Sequence, residues 1–191
     1  MADHPRSRPR NVERDLVLRE AGGYDGMFVR RQLITAAVRS EGMPTWTGAW
    51  SEAEATAYLE DATVPVRLAC RTPDGGLWML SLWYLYRDGA FHCATGADAD
   101  VVGYLERDAD VAFEISDNDP PYRGVRGSGE VTIEPDENKA LLRELLERYL
   151  GGTDSPLADR LLTEDREEVR IRVDPTKLYT WDFSERMLET S

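Results

Sequence analysis

Arginine, hydroxyl and aromatic residues on three successive predicted strands form an array suited to a flat, negatively charged ligand. Arg67 lies on the first strand, where a lone guanidinium needs an anionic partner, either a ligand phosphate or a nearby carboxylate. The residue chemistry alone favours the carboxylate, because the chain is acidic. Ser81-Leu82-Trp83 on the second strand offers backbone groups and an aromatic face, although strand tryptophans more often pack in a core. Thr95-Gly96-Ala97 ends the third strand and enters a helix N-terminus, whose free N–H groups favour an anion.

A glycine-rich stretch further along the chain does not have the features of a phosphate loop. Gly124, Gly127 and Gly129 are wrongly spaced for a dinucleotide fingerprint, and a strand follows the first of them where that fingerprint needs a helix. These glycines indicate bulges or a close approach of another backbone within a strand.

Residues for hydrolysis or metal chemistry are not visible in the sequence. The two histidines, His4 and His92, are too few and too far apart for a metal site or a catalytic triad. Cys70 and Cys93 cannot make a disulfide framework or a structural zinc site, and we interpret them as buried, inert thiols. We therefore predict no catalytic side chain and no metal ligand.

The charge balance excludes two classes of partner. The formal net charge is −13, and of the 23 basic residues only Lys139 and Lys177 are lysines. So acidic a surface repels nucleic acid and anionic lipid, and it is typical of proteins adapted to high intracellular salt. No apolar run approaches the roughly 20 residues that span a bilayer, and the first residues lack the apolar region of a secretory signal. The expected location is the cytoplasm.

The chain is expected to contain one main domain. Residues 1–42 carry most of their charge as arginine and lack turn chemistry linking them to the rest, so we interpret them as an appended N-terminal arm, partly ordered or disordered. Residues 43–191 are long enough for one domain with its own core.

Regular turn signals divide this domain into alternating strands and helices. Ser51 and Glu54 form a capping box that opens a helix reaching about Glu60. Further helices are predicted over 98–107 and 136–150, and strands over 64–72, 77–86, 90–95, 111–116, 123–134, 168–173 and 178–183. The first three strands are joined by very short turns and must run antiparallel, because a parallel crossover needs a dozen residues or more. The pattern predicts a small, mainly β (α+β) barrel of six or seven strands with flanking helices.

The order of these motifs resembles a known family. A strand with Arg67 is followed by W-Y-L-Y-R-D-G, by Ala-Thr-Gly, by V-x-F-x-I and by P-P-Y-R-G-V-R-x-x-G-E. This succession is similar to the pyridoxamine 5'-phosphate oxidase-like, FMN-binding split β-barrel family, and the likeness covers residues 50–183. The resemblance implies an antiparallel split β-barrel that works as a homodimer with FMN at the subunit interface.

The resemblance also implies roles for individual residues. Arg67 would bind the FMN phosphate, Leu82 and Trp83 would pass beside the isoalloxazine, and Thr95 would lie near the phosphate or the ribityl chain. Either Arg67 with helix N–H groups would suffice for the phosphate, or Arg123 or Arg126 of the partner subunit would assist, or the site is altered. Family members commonly continue after the threonine with Ser-x-Lys, whereas this chain has Ala99, Asp100 and Val101, so the lysine is missing.

Three functions are therefore compatible with the sequence. The leading hypothesis is an FMN-dependent oxidoreductase that acts on a small-molecule substrate, with the flavin carrying the electrons. The second is a barrel without catalysis that serves as a ligand-binding or interaction module, as the missing lysine suggests. The third is a deazaflavin-dependent reductase on the same barrel.

Overall fold

The computed structural model describes residues 44–188, and the predicted arm over 1–42 lies outside this range. The strands within it are β1 (Thr45–Gly48), β2 (Val66–Arg71), β3 (Leu77–Leu82), β4 (Tyr84–Arg87), β5 (Ala90–Gly96), β6 (Asp110–Ser116), β7 (Arg123–Pro135) and β8 (Glu168–Asp182). The helices are α1 (Glu52–Asp61), α2 (Asp100–Arg107), α3 (Ala140–Leu150), α4 (Pro156–Leu161) and α5 (Ser184–Leu188). A 3-10 turn, Glu137–Lys139, precedes α3.

Seven of these strands follow one antiparallel path, in the order β3-β2-β6-β7-β8-β5-β4. β1 adds to β8 in parallel at the C-terminal half of that strand, whereas β5 pairs with its N-terminal half. The sheet curls into a split barrel with flanking helices, which confirms the predicted fold class.

Three details of the strand prediction were wrong. The predicted strand 77–86 is two strands, β3 and β4, with a break at Trp83. β3 pairs with β2 and β4 pairs with β5, so the two halves belong to different hairpins. The two strands predicted over 168–173 and 178–183 are one strand, because a register shift beside Ser128 and Gly129 accommodates Pro175, which cannot donate a ladder hydrogen bond. The short strand β1 was not predicted.

Alternating side chains separate a core face of the sheet from an outer face. In β2 the core side chains are Val66, Leu68 and Cys70, and in β6 they are Val111, Phe113 and Ile115. The intervening residues of both strands point to the opposite face, since successive strand side chains alternate. A second, smaller cluster joins Leu142 and Leu146 of α3 to Ala158 of α4 and to Trp83.

Close backbone approach explains the glycines of β7, as the sequence predicted. A Cβ atom on Gly127 would lie 2.1 Å from the carbonyl oxygen of Lys177, and one on Gly129 would lie 2.5 Å from that of Asp174. Both distances are far inside van der Waals contact, so only glycine lets β8 pair this closely with β7.

The predicted capping box at the start of α1 is present. The Ser51 hydroxyl accepts a hydrogen bond from the Glu54 backbone N–H at 3.3 Å, and the Glu54 carboxylate accepts one from the Ser51 N–H at 2.8 Å. At the other end, the Arg148 guanidinium donates to the carbonyl oxygens of Glu60 at 2.6 Å and Ala62 at 2.8 Å. Side chains therefore satisfy part of the free backbone groups at each end of α1.

We expect Ser51→Ala to lower the free energy of unfolding by about 1 kcal/mol, because the Glu54 N–H loses its acceptor. Urea unfolding followed by circular dichroism at fixed protein concentration measures the change. Ser51→Thr, which keeps the hydroxyl, is the control and should lose about half as much or less. Equal losses in the two variants would contradict the capping role of the hydroxyl.

Candidate ligand-binding site

The outer face of the sheet carries a row of polar side chains that crosses six strands. Each member is the register partner of the next, and we call this set the polar row: Ser81, Arg67, Glu114, Arg126, Tyr179 and Thr47. A second line of register partners runs beside the polar row, two residues away on each strand, and its side chains are mostly smaller and more apolar. We call this set the second row: Met79, Ala69, Ala112, Ser128, Lys177 and Thr45.

Both rows line a concave cavity of about 690 Å³ on this face. All members of the two rows except Ser81 contribute to its lining, together with Phe113, Gly127 and Leu178. The volume is within the range of small-molecule and cofactor sites, as is the combination of apolar walls with a few convergent polar groups.

Arg67 is held within its own chain. Its guanidinium donates to the Glu114 carboxylate at 3.3 Å, to the Ser116 hydroxyl at 3.1 Å and to the Asn118 side-chain oxygen at 2.6 Å. The carboxylate partner that residue chemistry favoured is thus present, and the cavity lies beside it. About a third of the Arg67 side chain remains exposed, at 34%.

Two other cations of the cavity have no carboxylate partner among residues 44–188. Arg126 lies over the rings of Tyr179, at 4.9 Å from the centroid, and Trp181, at 5.5 Å. Lys177 is exposed on the second row and forms none of the ion pairs of the described residues. In a chain of net charge −13, this cavity is therefore a local concentration of positive charge.

Arg123 is separated from Arg126 by the alternation of β7. Its guanidinium donates to Asp117 at 2.8 Å and lies 5.7 Å from the centroid of the Tyr58 ring, on the side of α1. The hydrogen bond to the Asp117 carboxylate raises the pKa of Arg123. Burial and the same carboxylate, which accepts the Tyr58 hydroxyl at 3.0 Å, raise the pKa of Tyr58. Arg123 therefore fixes the loop after β6.

Leu82 and Trp83 also lie away from the cavity. The Leu82 side chain is buried in the core. The Trp83 ring stacks on Tyr149 of α3, with ring centroids 5.1 Å apart and ring planes 12° from parallel. The aromatic face that the sequence offered for a ligand is thus covered on one side by a ring of the same chain.

Thr95 and Gly96 lie at the opposite end of β8 from the polar row. Thr95 is the register partner of Val169 and Gly96 that of Glu168, whereas Tyr179 lies ten residues further along β8. No basic side chain takes the place of the missing family lysine at the start of α2. The N-cap of this helix is Ala99, and its first turn carries the acidic residue Asp100. A cation that the sequence analysis missed, Arg166, lies beside Gly96, where it pairs with the buried carboxylate of Glu168.

Both cysteines are buried and free, which confirms their interpretation. Burial raises the pKa of the Cys93 thiol to about 12, so this sulfur is protonated and unreactive at neutral pH. Burial, with a smaller contribution from Asp108, also raises the pKa of Cys70. No cluster of metal-ligating side chains is present in the described part of the chain, and no helix there is long and apolar enough to cross a membrane.

Three of the residues that meet at this face, Arg67, Ser81 and Arg126, were predicted from the sequence, whereas Glu114, Lys177 and Tyr179 were not. The missed residues alternate with buried Phe113, Ile115 and Leu178, so their outward direction was readable from a period of two. What the sequence could not supply was the register that places Glu114 between the two arginines.

Comparisons with known proteins agree with this architecture. No protein-family model matches the chain, and no curated protein matches it either. Among solved structures, the conserved hypothetical protein Rv2991 of Mycobacterium tuberculosis is 27% identical with a TM-score of 0.60, over 73% of this chain and 89% of that one. A protein described as an F420 reductase is also 27% identical, with a TM-score of 0.51 over 63% and 92% of the two chains. A candidate pyridoxamine 5'-phosphate oxidase of Listeria innocua shares the fold at 18% identity and a TM-score of 0.52, over 68% and 96%.

These likenesses, together with the sheet order, define the fold. The chain is a split β-barrel, the fold that it shares with the candidate pyridoxamine 5'-phosphate oxidase and that the resemblance implied.

Proposed function

We propose that this protein is an FMN-dependent oxidoreductase that holds the flavin against the outer sheet face and acts on a small-molecule substrate. The observation that carries the proposal is the cavity itself: two cations without carboxylate partners among the described residues, Arg126 and Lys177, beside an apolar wall that includes Met79 and Ala112. A flat ring suits the wall, and a phosphate suits the cations.

The described residues fit such a cofactor in charge and in size. Arg126, Lys177 and the exposed third of Arg67 would supply positive charge to the anionic cofactor, and its ring would lie over the small side chains of the second row. Bound flavin would carry electrons or hydride, while the chain would supply position and exclusion of water. No side chain of this set is assigned as an acid or base.

A homodimer completes the proposal. The edge strand β3 exposes Leu77 by 81%, Met79 by 67% and Trp78 by 46%, and this apolar edge borders the cavity. Exposed, unpaired edge strands of this kind are normally covered. A second copy of the chain would cover the edge and close the cavity, and it could bring its own Trp83 or Thr95 towards the first copy's polar row. Light scattering should give twice the chain mass at micromolar concentration, and a monomer would contradict this part of the proposal.

The proposal is tested by titrating the purified protein with FMN and with a deazaflavin, following quenching of ligand fluorescence. We expect saturable FMN binding that Arg126→Ala weakens by about tenfold or more, because a charge-assisted contact is lost without breaking an ion pair of the protein. Arg143→Ala, which removes an exposed arginine of α3, is the matched control and should bind FMN like the wild type. Arg67→Ala is less informative, since it also releases Asn118.

A deazaflavin-dependent reductase is the second candidate. It is favoured by the 27% identity to the protein described as an F420 reductase, F420 being a deazaflavin, and by Asp100 and Val101 standing where a phosphate-binding lysine was expected. Tighter binding of the deazaflavin than of FMN would select it. Failure to bind either ligand would overturn both candidates and leave a module without a flavin-type cofactor.

A further inference from the structure

The centre of the polar row contains a carboxylate, which is unfavourable in a site that binds only an anion. Glu114 is the register partner of Arg67 on one side and of Arg126 on the other. Adjacent strands are about 4.8 Å apart, so a carboxylate stands between two guanidinium groups on one line. An anion placed centrally over this line would be repelled by the carboxylate. The centre of the row therefore presents a hydrogen-bond donor, an acceptor and a second donor in that order: Arg67, Glu114 and Arg126.

Within residues 44–188, one of the two Glu114 carboxylate oxygens accepts hydrogen bonds and the other does not. Oε1 accepts hydrogen bonds from Arg67 at 3.3 Å and from the Ser116 hydroxyl at 2.9 Å. Oε2 accepts from no donor among residues 44–188, and the side chain is 41% exposed towards the cavity that it lines. The Arg126 guanidinium likewise has ring contacts but no acceptor in that range. One acceptor and one set of donors thus remain for a ligand.

A ligand edge that matches this row has the order acceptor, donor, acceptor. The pyrimidine edge of a flavin or deazaflavin ring has this order, since it carries two carbonyl oxygens on either side of an imide N–H at position 3. Building on the proposed function, we propose that Glu114 is a specificity-determining residue whose free oxygen accepts the hydrogen bond of this imide N–H. The flanking arginines donate to the two carbonyl oxygens.

In this arrangement the Glu114 carboxylate selects ligands that carry an N–H group on this edge. A site built to hydrogen-bond an N–H rejects a ligand that lacks it, because the acceptor that the bound ring covers is then left without a partner. Phosphate recognition and ring recognition use different residues in this scheme. Lys177 contributes charge for a phosphate tail, whereas Glu114 contributes selectivity for the ring.

The test compares riboflavin with 3-methylriboflavin, which differs only in the blocked imide nitrogen and has no phosphate. The matching pair of deazaflavins is used if the wild type binds that ring system instead. Fluorescence quenching should show the wild type binding the unmethylated ligand at least about tenfold more tightly. Glu114→Ala should reduce this ratio to near one. Glu114→Gln keeps an acceptor oxygen without charge and should keep a smaller preference.

The ratio of two ligands on one preparation separates recognition from folding. Misfolded protein lowers binding of both ligands alike, and Asp110→Ala removes a carboxylate from the same face of β6 without touching the cavity, so it should keep the wild-type ratio. A wild type that binds both ligands equally, or a Glu114→Ala protein with an unchanged ratio, overturns this inference and leaves the proposed function standing. A wild type that binds no flavin or deazaflavin overturns the proposed function, and the inference with it.

Discussion

Phe91→Ala is expected to lower the free energy of unfolding by about 3–5 kcal/mol, which is a large part of the stability of a domain of this size. Phe91 is fully buried on β5. Its ring centroid lies 4.8 Å from that of Phe113, 5.0 Å from that of Tyr86 and 5.5 Å from that of Tyr84. The substitution removes the shared member of three aromatic contacts and leaves a cavity that surrounding strands cannot fill without shifting.

The measurement is urea unfolding at fixed protein concentration, followed by tryptophan fluorescence and circular dichroism. Phe91→Leu keeps most of the apolar volume and should lose clearly less. Phe183→Ala removes a phenylalanine that is 37% exposed, so it should change stability by about 0.5 kcal/mol or less. A loss in Phe91→Ala no larger than that of Phe183→Ala would show that this cluster does not hold opposite sides of the barrel together.

This cluster also shows why the fold was readable from the sequence. Strands β5 and β6 join opposite sides of the barrel through Phe91 and Phe113. Phe113 follows a pattern of alternating burial along β6, whereas Phe91 lies in a run of four buried residues on β5. Such alternation, with turns as short as Asp88-Gly89, predicts antiparallel strands from local information alone. The capping box at Ser51 and the Gly151 helix end are local signals of the same kind, and both are present.

The site was only partly readable, because it depends on contacts between residues far apart in the chain. Arg67 and Glu114 are 47 residues apart and meet only through the pairing of β2 with β6. Nothing local to Trp83 indicated that Tyr149 of α3 would stack on it. The resemblance placed Arg67, Trp83 and Thr95 around one ligand, whereas the single chain places only Arg67 at the cavity.

The helix that covers Trp83 depends on one buried carboxylate. Asp136 is 4% exposed, and its two oxygens accept hydrogen bonds from the backbone N–H groups of Leu141 and Leu142, each at 3.0 Å. The Arg170 guanidinium of β8 donates to the same carboxylate at 3.4 Å. Asp136 thereby satisfies the free N-terminal groups of α3 and joins this helix to the sheet.

We expect Asp136→Ala to lower the free energy of unfolding by about 2–4 kcal/mol, because two buried N–H groups and one guanidinium lose their acceptor together. Asp136→Asn keeps one oxygen and should lose about half as much, and Glu137→Ala, an exposed neighbour, should lose little. Urea unfolding gives these values, and near-ultraviolet circular dichroism reports on the stacked Trp83 and Tyr149. Since α3 carries Tyr149, a loosened helix should weaken the tryptophan signal before the sheet unfolds. An Asp136→Ala protein as stable as Glu137→Ala would mean that packing of Leu142 and Leu146 alone holds α3, and that the carboxylate is dispensable.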